Sequence, residues 1–214
     1  KVLTHGLNGK ETWKDGAIEI MRAQLRDAFP RDESWGPAAV IDAARAAFPK
    51  DGFAAVDTGA HRILLSQQWD CYLPRTLAQS TGLCTMGCAV PIALGHKIAN
   101  PDTPVIAFTG DGGMEMILGE LATLRDMKLP VVIVVFVDES LALIELKQRA
   151  NRQDNLGVDF GGTDFAKLAD VMGGIGVTAT DRETLEKAIS DGLDAETFTL
   201  VACPIGRKAY DGRF

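Results

Sequence analysis

No stretch of this sequence stays apolar long enough to cross a bilayer. No segment has the order of charge, apolar core and small residues that marks a signal peptide. Basic residues are outnumbered: Lys and Arg total 22 against 29 Asp and Glu, a formal net charge of −7. That balance argues against a nucleic-acid ligand, whose phosphates would be repelled. Cysteine is sparse, with only Cys71, Cys84, Cys88 and Cys203, so a reduced, cytoplasmic setting is expected. Cys84 and Cys88 are spaced for one helical turn. No second ligand pair lies nearby, so buried small side chains are expected there rather than a metal site. Internal repeats and low-complexity tracts are absent. So is a GxGxxG turn after the first expected strand, at 52–57, which removes the usual case for a nicotinamide dinucleotide site.

What is present fits one α/β unit. The 214 residues suffice for a full core, and 46% hydrophobic content is ordinary for an enzyme. The stretch at 105–144, VIAFTGDGGMEMILGELATLRDMKLPVVIVVFVDESLALI, organises the rest. Residues 105–108 and 131–137 are β-branched or aromatic runs without polar alternation, as in parallel strands buried on both faces. Between them Met114, Ile117, Leu118, Leu121 and Leu124 recur at helical spacing, predicting one amphipathic helix. Strand, helix and strand make a right-handed βαβ unit, with ligands beyond the carboxyl ends of the strands. Asp111 and Asp138 stand at those two ends.

Gly110, Gly112 and Gly113 are expected to take positive φ and let backbone approach a ligand. The following helix is expected to aim free N–H groups and its dipole at the same place, favouring phosphate. Asp111 would repel phosphate unless a cation intervened. Mg²⁺ resolves that conflict, because it takes one or two carboxylates together with phosphate oxygens. The alternative is a turn with a capping Asp.

GDGG, the EMILGELATL helix and the strand ending in VDES resemble the diphosphate-binding domain of thiamine diphosphate (ThDP) enzymes of the acetolactate synthase and pyruvate decarboxylase group. The resemblance implies ThDP and Mg²⁺ as cofactors, with Asp111, Asp138 and the Ser140 carbonyl as metal ligands. It also implies cofactor contacts from Thr58, Gly59, Ala60 and His61 after the first strand. Further contacts would come from Cys84 and Met86 in the loop before the helix at 88–99, and from Gly110, Gly112, Gly113, Leu141 and Leu143. Cys84 would offer its carbonyl, and Met86 would wedge the cofactor into a bent shape, a role that suits a flexible thioether. The family has Asn-Asn where this chain has Val137-Asp138, and Gly where it has Cys84. At ~4 Å and an effective dielectric near 20, the added charge of Asp138 costs about 4 kcal/mol beside a diphosphate, which a bound cation offsets.

The resemblance implies an enzyme acting on a 2-oxo acid, a lyase or transferase, by carboligation or decarboxylation. No catalytic residue is identified in this chain. The activating acid is expected on a pyrimidine-binding domain upstream or in another subunit, and a homodimer or tetramer is expected. Glu115 and Glu120, on the helix behind the phosphate site, are expected to lie on the helix surface or to support the site from behind. Alternatives are a non-catalytic or regulatory homologue, or the separate β subunit of a two-chain decarboxylase. The start at Lys1, without Met, suggests a piece of a longer polypeptide.

For the rest of the chain, residues 1–35 are expected to be the tail of a preceding domain or a linker. Within it 17–29 is helical, with Ile18, Ile20, Met21, Leu25 and Phe29 near one face. Residues 36–214 form the diphosphate-binding domain. Pro37 opens a helix to residue 47 that buries Val40, Ile41 and Ala44. Residues 69–79 read as irregular, 140–149 as helix, and 151–162 as a loop near the mouth of the site. A helix at 164–172, a strand at 175–178, a helix at 183–193 capped by Asp181 and a last strand at 198–203 follow. The expected fold class is α/β: a parallel sheet of five or six strands with helices on both faces.

Overall fold

A computed structural model describes residues 13–214. Six strands, β1 (Phe53–Val56), β2 (Leu77–Gln79), β3 (Val105–Gly110), β4 (Val132–Val137), β5 (Ile175–Thr178) and β6 (Thr199–Pro204), form one parallel sheet in the order β2-β1-β3-β4-β6-β5. The helices are α1 (Ala17–Ala28), α2 (Pro37–Ala47), α3 (Ala60–Gln68), α4 (Ala89–Ala99), α5 (Asp111–Glu115), α6 (Glu120–Asp126), α7 (Ala142–Ala150), α8 (Phe165–Val171) and α9 (Arg182–Leu193).

Strand side chains alternate between the two faces, and each face has its own core. Val56, Ile106, Phe108, Val134, Phe136 and Val201 meet α2, α3 and α9 on one side. Ala55, Ala107, Ile133, Val135 and Leu200 meet α4, α6 and α8 on the other. Burial on both faces explains why the central strands read as unbroken apolar runs. From β1 the chain crosses to β2 on one side, whereas from β3 it crosses to β4 on the other. The crevice between the carboxyl ends of β1 and β3 is therefore a topological switch point, where open α/β sheets bind ligands.

Several boundaries depart from expectation. The single helix expected between β3 and β4 is two short ones. Ile117 N–H bonds Met114 O and Glu120 N–H bonds Ile117 O, i→i+3 contacts that tighten the chain between α5 and α6. Two glycines in α5 and Gly119 before α6 weaken a continuous helix. Met114, Leu121 and Leu124 are still fully buried. The irregular stretch ends in β2, an edge strand in register with β1; three residues are too few to show a pattern. The helix expected from residue 140 starts at Ala142. Helix α1 buries none of its residues: Ile18, Ile20, Met21 and Leu25 are exposed, and Phe29 just beyond it packs on the core. Residues 1–12 of the expected tail lie outside the described residues.

Cys84 and Cys71 are exposed, Cys88 is half-buried and Cys203 is buried, all as free thiols. The expectation of buried cysteines at Cys84 and Cys88 fails at Cys84, which sits on an exposed loop, and is only half met at Cys88.

Candidate active site

Three strands in this sheet end against an acid: β1 before Asp57, β3 before Asp111, and β4 before Asp138. All three carboxylates are buried, and their surroundings differ.

Asp57 is saturated. Its Oδ2 accepts from Gly87 N–H at 2.7 Å and from Thr109 Oγ–H at 2.8 Å, and its Oδ1 lies 2.7 Å from His61 Nε2. These bonds join β1, β3, α3 and the loop before α4. Gly113 packs over the cluster so closely that a Cβ there would lie 2.5 Å from Asp57 Oδ2 and 2.6 Å from Thr109 Oγ1. His61 is held in place from two sides. Asp57 fixes one ring nitrogen, and the ring stacks on Phe136 with centroids 5.3 Å apart. Its Nδ1–Cε1 edge lies over Gly59 and Gly110, where a Cβ would come within 2.6 Å and 3.5 Å of Nδ1 respectively. Two glycines thus leave that edge of the imidazole free of side-chain cover.

Asp111 and Asp138 meet across the β3–β4 tips. Asp111 Oδ2 accepts from the backbone N–H of Asp138 at 3.0 Å and of Glu139 at 2.7 Å, and its Oδ1 from Gly112 N–H at 2.8 Å. Asp138 Oδ1 accepts from Ser140 N–H at 3.2 Å. Burial raises the Asp111 carboxyl above its usual range despite those three donors. Burial, and then the charge of Asp111, push Asp138 up to about 7. Two carboxylates crowd one place, and the arrangement is relieved by a proton or a cation.

A cavity of about 140 Å³ opens at this point. It is lined by Thr58, Gly59, Ala60, His61, Met86, Gly110, Asp111, Gly112, Gly113, Phe136, Asp138, Ser140, Leu141, Ala142, Leu143, Ile144 and Tyr210. Of the residues singled out by sequence, Cys84 alone is missing from the lining. Met86 reaches the glycine turn, its Cε 3.5 Å from where a Cβ on Gly112 would stand. The volume is below the ~300 Å³ at which pockets for complete small-molecule ligands begin, as suits a cavity that takes one end of a ligand.

Two sequence expectations need correcting. Gly110, Gly112 and Gly113 do not adopt positive φ; Gly113 is needed because Asp57 and Thr109 leave no room for a Cβ. One of the N–H groups opening the next helix is not free for phosphate either. Gly112 N–H is already taken by Asp111, and α5 has only five residues, so its dipole is weak. Positive φ values around the site lie elsewhere, among them Cys84 (51°), Gly87 (75°) and Glu139 (56°).

Asp57, Phe136, Glu145 and Tyr210 were not foreseen as site residues. Glu145 is buried and accepts from Ser140 Oγ–H at 3.2 Å. An acid directly after a strand, repeated three times, was a signal that could have marked Asp57. Nothing local marks Tyr210.

The donor set suits a hard divalent cation that keeps water and phosphate oxygens. It offers two carboxylates, and no group of three or more His, Cys, Asp or Glu is placed to hold a metal among the described residues. Orphaned hydroxyls point the same way. Thr58 Oγ1 and Tyr210 Oη are buried, line the cavity or belong to residues that do, and have no hydrogen-bond partner among the described residues. No helix among the described residues is long and apolar enough to cross a membrane.

Comparison with known proteins agrees with this geometry. A family model described as "Thiamine pyrophosphate enzyme, C-terminal TPP binding domain" matches residues 57–203. Acetolactate synthase of Bacillus subtilis is 31% identical over 149 residues, covering 70% of this chain and 26% of that protein. The acetolactate synthase isozyme 3 large subunit of Escherichia coli is 30% identical over 188 residues, covering 86% and 32%. The chain thus spans about a third or less of the length of these relatives. Among solved structures, a thiamine diphosphate-dependent 4-hydroxybenzoylformate decarboxylase of Rhodococcus jostii superposes with a TM-score of 0.76 at 24% identity, covering 82% of this chain and 33% of that one; at that identity it speaks for the fold. The saturated Asp57 corner and the carboxylate pair over a glycine turn lie within or beside the matched span, and the family match gives one assignment: this chain belongs to the thiamine pyrophosphate enzyme family, residues 57–203 matching its C-terminal TPP binding domain.

Proposed function

We propose that this chain supplies the diphosphate- and metal-binding half of a ThDP- and Mg²⁺-dependent enzyme that acts on a 2-oxo acid, by carboligation of the acetolactate synthase kind or by decarboxylation. The observation that carries the reading is the buried pair Asp111–Asp138 at the tips of β3 and β4, with Asp138 raised to about 7 by burial and its neighbour. Two side chains held at that cost make sense where a divalent cation neutralises them. Asp111, Asp138 and the Ser140 carbonyl would hold the cation. Thr58 Oγ and the open edge of His61 would face the diphosphate, and Met86, Leu141 and Leu143 would border the apolar part of the cofactor.

ThDP, when bound, supplies an electron sink for the carbanion left by decarboxylation. The residues of this chain do other work. Asp57 orients His61 and ties the β1 end to the turn at Gly87. Phe136, Leu141 and Leu143 exclude water around the carboxylates, which strengthens their hold on a cation. No acid placed to activate a pyrimidine ring emerges from the cavity lining. That group, and most of the substrate pocket, would come from a pyrimidine-binding domain elsewhere in the polypeptide or in a partner subunit, within a homodimer or tetramer.

The test is calorimetric titration of ThDP into the full-length protein with and without Mg²⁺, followed by assay of CO₂ release from simple 2-oxo acids. Tight binding that depends on Mg²⁺ is the expected result. Equal affinity in the two conditions would overturn the metal-bridged reading, and metal-dependent binding without any turnover would favour a regulatory homologue.

A further inference from the structure

Tyr210 stands in the segment that follows β6, beyond residue 203 where the family match ends. It is 2% exposed, it lines the cavity beside Asp138, and its hydroxyl is buried without a partner among the described residues. Its neighbours in the chain are anchored. Asp211 accepts from Arg149 Nη1 of α7 at 2.9 Å, and Arg213 pairs with Glu33 before α2. Before the ring, Arg207 pairs with Asp159, so the ring is placed by contacts on both sides and is not the end of a loose tail. Burial and the carboxylates of Asp138, Asp111 and Glu33 hold the phenol protonated, so it is a donor.

A buried O–H without an acceptor is expensive, by an amount comparable to the whole contribution of an ordinary hydrogen bond. Neither Asp111 nor Asp138 accepts from it; their bonded partners are backbone N–H groups. Thr58 Oγ1, on the opposite, β1 side of the same cavity, is orphaned too. Two residues whose hydroxyls lack acceptors line one cavity, and a ligand rich in oxygen atoms seated there would satisfy both.

We propose that the Tyr210 hydroxyl donates a hydrogen bond to an oxygen of the bound diphosphate, so that the segment after the last strand completes the diphosphate site. The inference rests on the ThDP reading above and adds to it a residue outside the matched span. Tyr210 is a positioning residue for the cofactor and takes no part in the chemistry at its ring.

The experiment titrates ThDP at saturating Mg²⁺ into the full-length protein and into its Tyr210→Phe and Asp111→Asn variants, and records the thermal midpoint of each without cofactor. Loss of a hydrogen bond to a charged oxygen predicts about tenfold weaker ThDP binding for Tyr210→Phe. The cofactor-free midpoint should be unchanged or higher, because the orphaned hydroxyl is gone. A merely structural tyrosine would lower that midpoint and leave affinity alone, and this result overturns the proposal. Unchanged affinity in Tyr210→Phe with binding lost in Asp111→Asn also overturns it while sparing the ThDP reading. Unchanged affinity in both variants overturns the proposal and the metal-bridged assignment of Asp111, and no ThDP binding to the full-length protein overturns the ThDP reading itself. As a second measurement, 3-fluorotyrosine at position 210 should show a fluorine resonance that moves when ThDP and Mg²⁺ are added together, and a static resonance counts against the contact.

Discussion

The tips of β1 and β4 each carry a buried aspartate, and the two behave as opposites. Asp57 has no exposed surface and is bonded to three partners, from Gly87, Thr109 and His61. Asp138 is almost as deeply buried but has one backbone donor and a second carboxylate for company. Burial alone therefore does not mark a ligand site. A buried carboxylate that has its donors holds the structure together, because its desolvation is already compensated. One that lacks them, and faces a like charge, stores unfavourable energy that a cation can release. On this reasoning Asp57 braces the site, and Asp138, short of donors and crowded by Asp111, is the proposed cation ligand.

The largest effect expected from breaking this contrast is at Asp57. Asp57→Ala leaves the Thr109 hydroxyl, the Gly87 N–H and the His61 imidazole without their buried acceptor. A loss of about 3–5 kcal/mol is expected, with a fall in thermal midpoint of roughly 10 °C. Added Mg²⁺ should restore none of it. Scanning calorimetry with and without Mg²⁺ checks this, and a midpoint within a degree or two of wild type would show that Asp57 is not the brace.

Asp138→Asn should act in the other direction. An unfolded aspartate titrates near 3.8, whereas Asp138 in the folded protein titrates near 7. Between those values the native state holds the extra proton, so metal-free stability falls as pH rises through that window and levels off above it. The neutral amide removes this slope, and above pH 7 the metal-free variant should be more stable by about 2–4 kcal/mol. Urea unfolding at pH 5 and pH 8 measures the slope directly, and equal slopes in the two proteins would refute the assignment. Cation binding has the matching dependence. Because Mg²⁺ must displace the Asp138 proton, its apparent affinity in the wild type should drop toward tenfold per pH unit below about 7. In Asp138→Asn the same titrations should show a flatter profile.

These contrasts were only partly legible in the sequence, for identifiable reasons. Strands buried on both faces announce themselves as continuous apolar runs, so β3 and β4 could be read with their flanking acids. Proximity of Asp111 and Asp138 follows from a βαβ unit with short links. The state of each carboxylate does not follow, because it depends on distant partners. Thr109 is 52 positions from Asp57, and Gly87 is 30. The glycines of GDGG were legible as necessary, but for the wrong reason: close approach, not positive φ, excludes a side chain at Gly113. β2 is a three-residue edge strand whose existence is owed to pairing with β1. Tyr210 arrives from a segment with no periodicity at all. Helix α1 shows the converse error, since an apolar face legible in the sequence stays exposed in this structure.

The smallest expected effect concerns the exposed loop before α4. Cys84 is exposed, has φ of 51°, and stands where the resembled family places glycine. A left-handed conformation costs a residue with a Cβ roughly 1–2 kcal/mol, while glycine forfeits about 0.5–1 kcal/mol of chain entropy. The Cys84→Gly variant should therefore gain about 0.5–1 kcal/mol, a rise of a few degrees in thermal midpoint. The Cys84→Ala variant keeps the Cβ and so should gain nothing, which separates backbone strain from any role of the thiol. Since the cysteine side chain is not part of the cavity lining, neither variant should change ThDP affinity by more than about twofold, well under the 1.4 kcal/mol of a tenfold change. A gain in Cys84→Ala equal to that in Cys84→Gly would mean that the thiol, and not the left-handed backbone, is what burdens this loop.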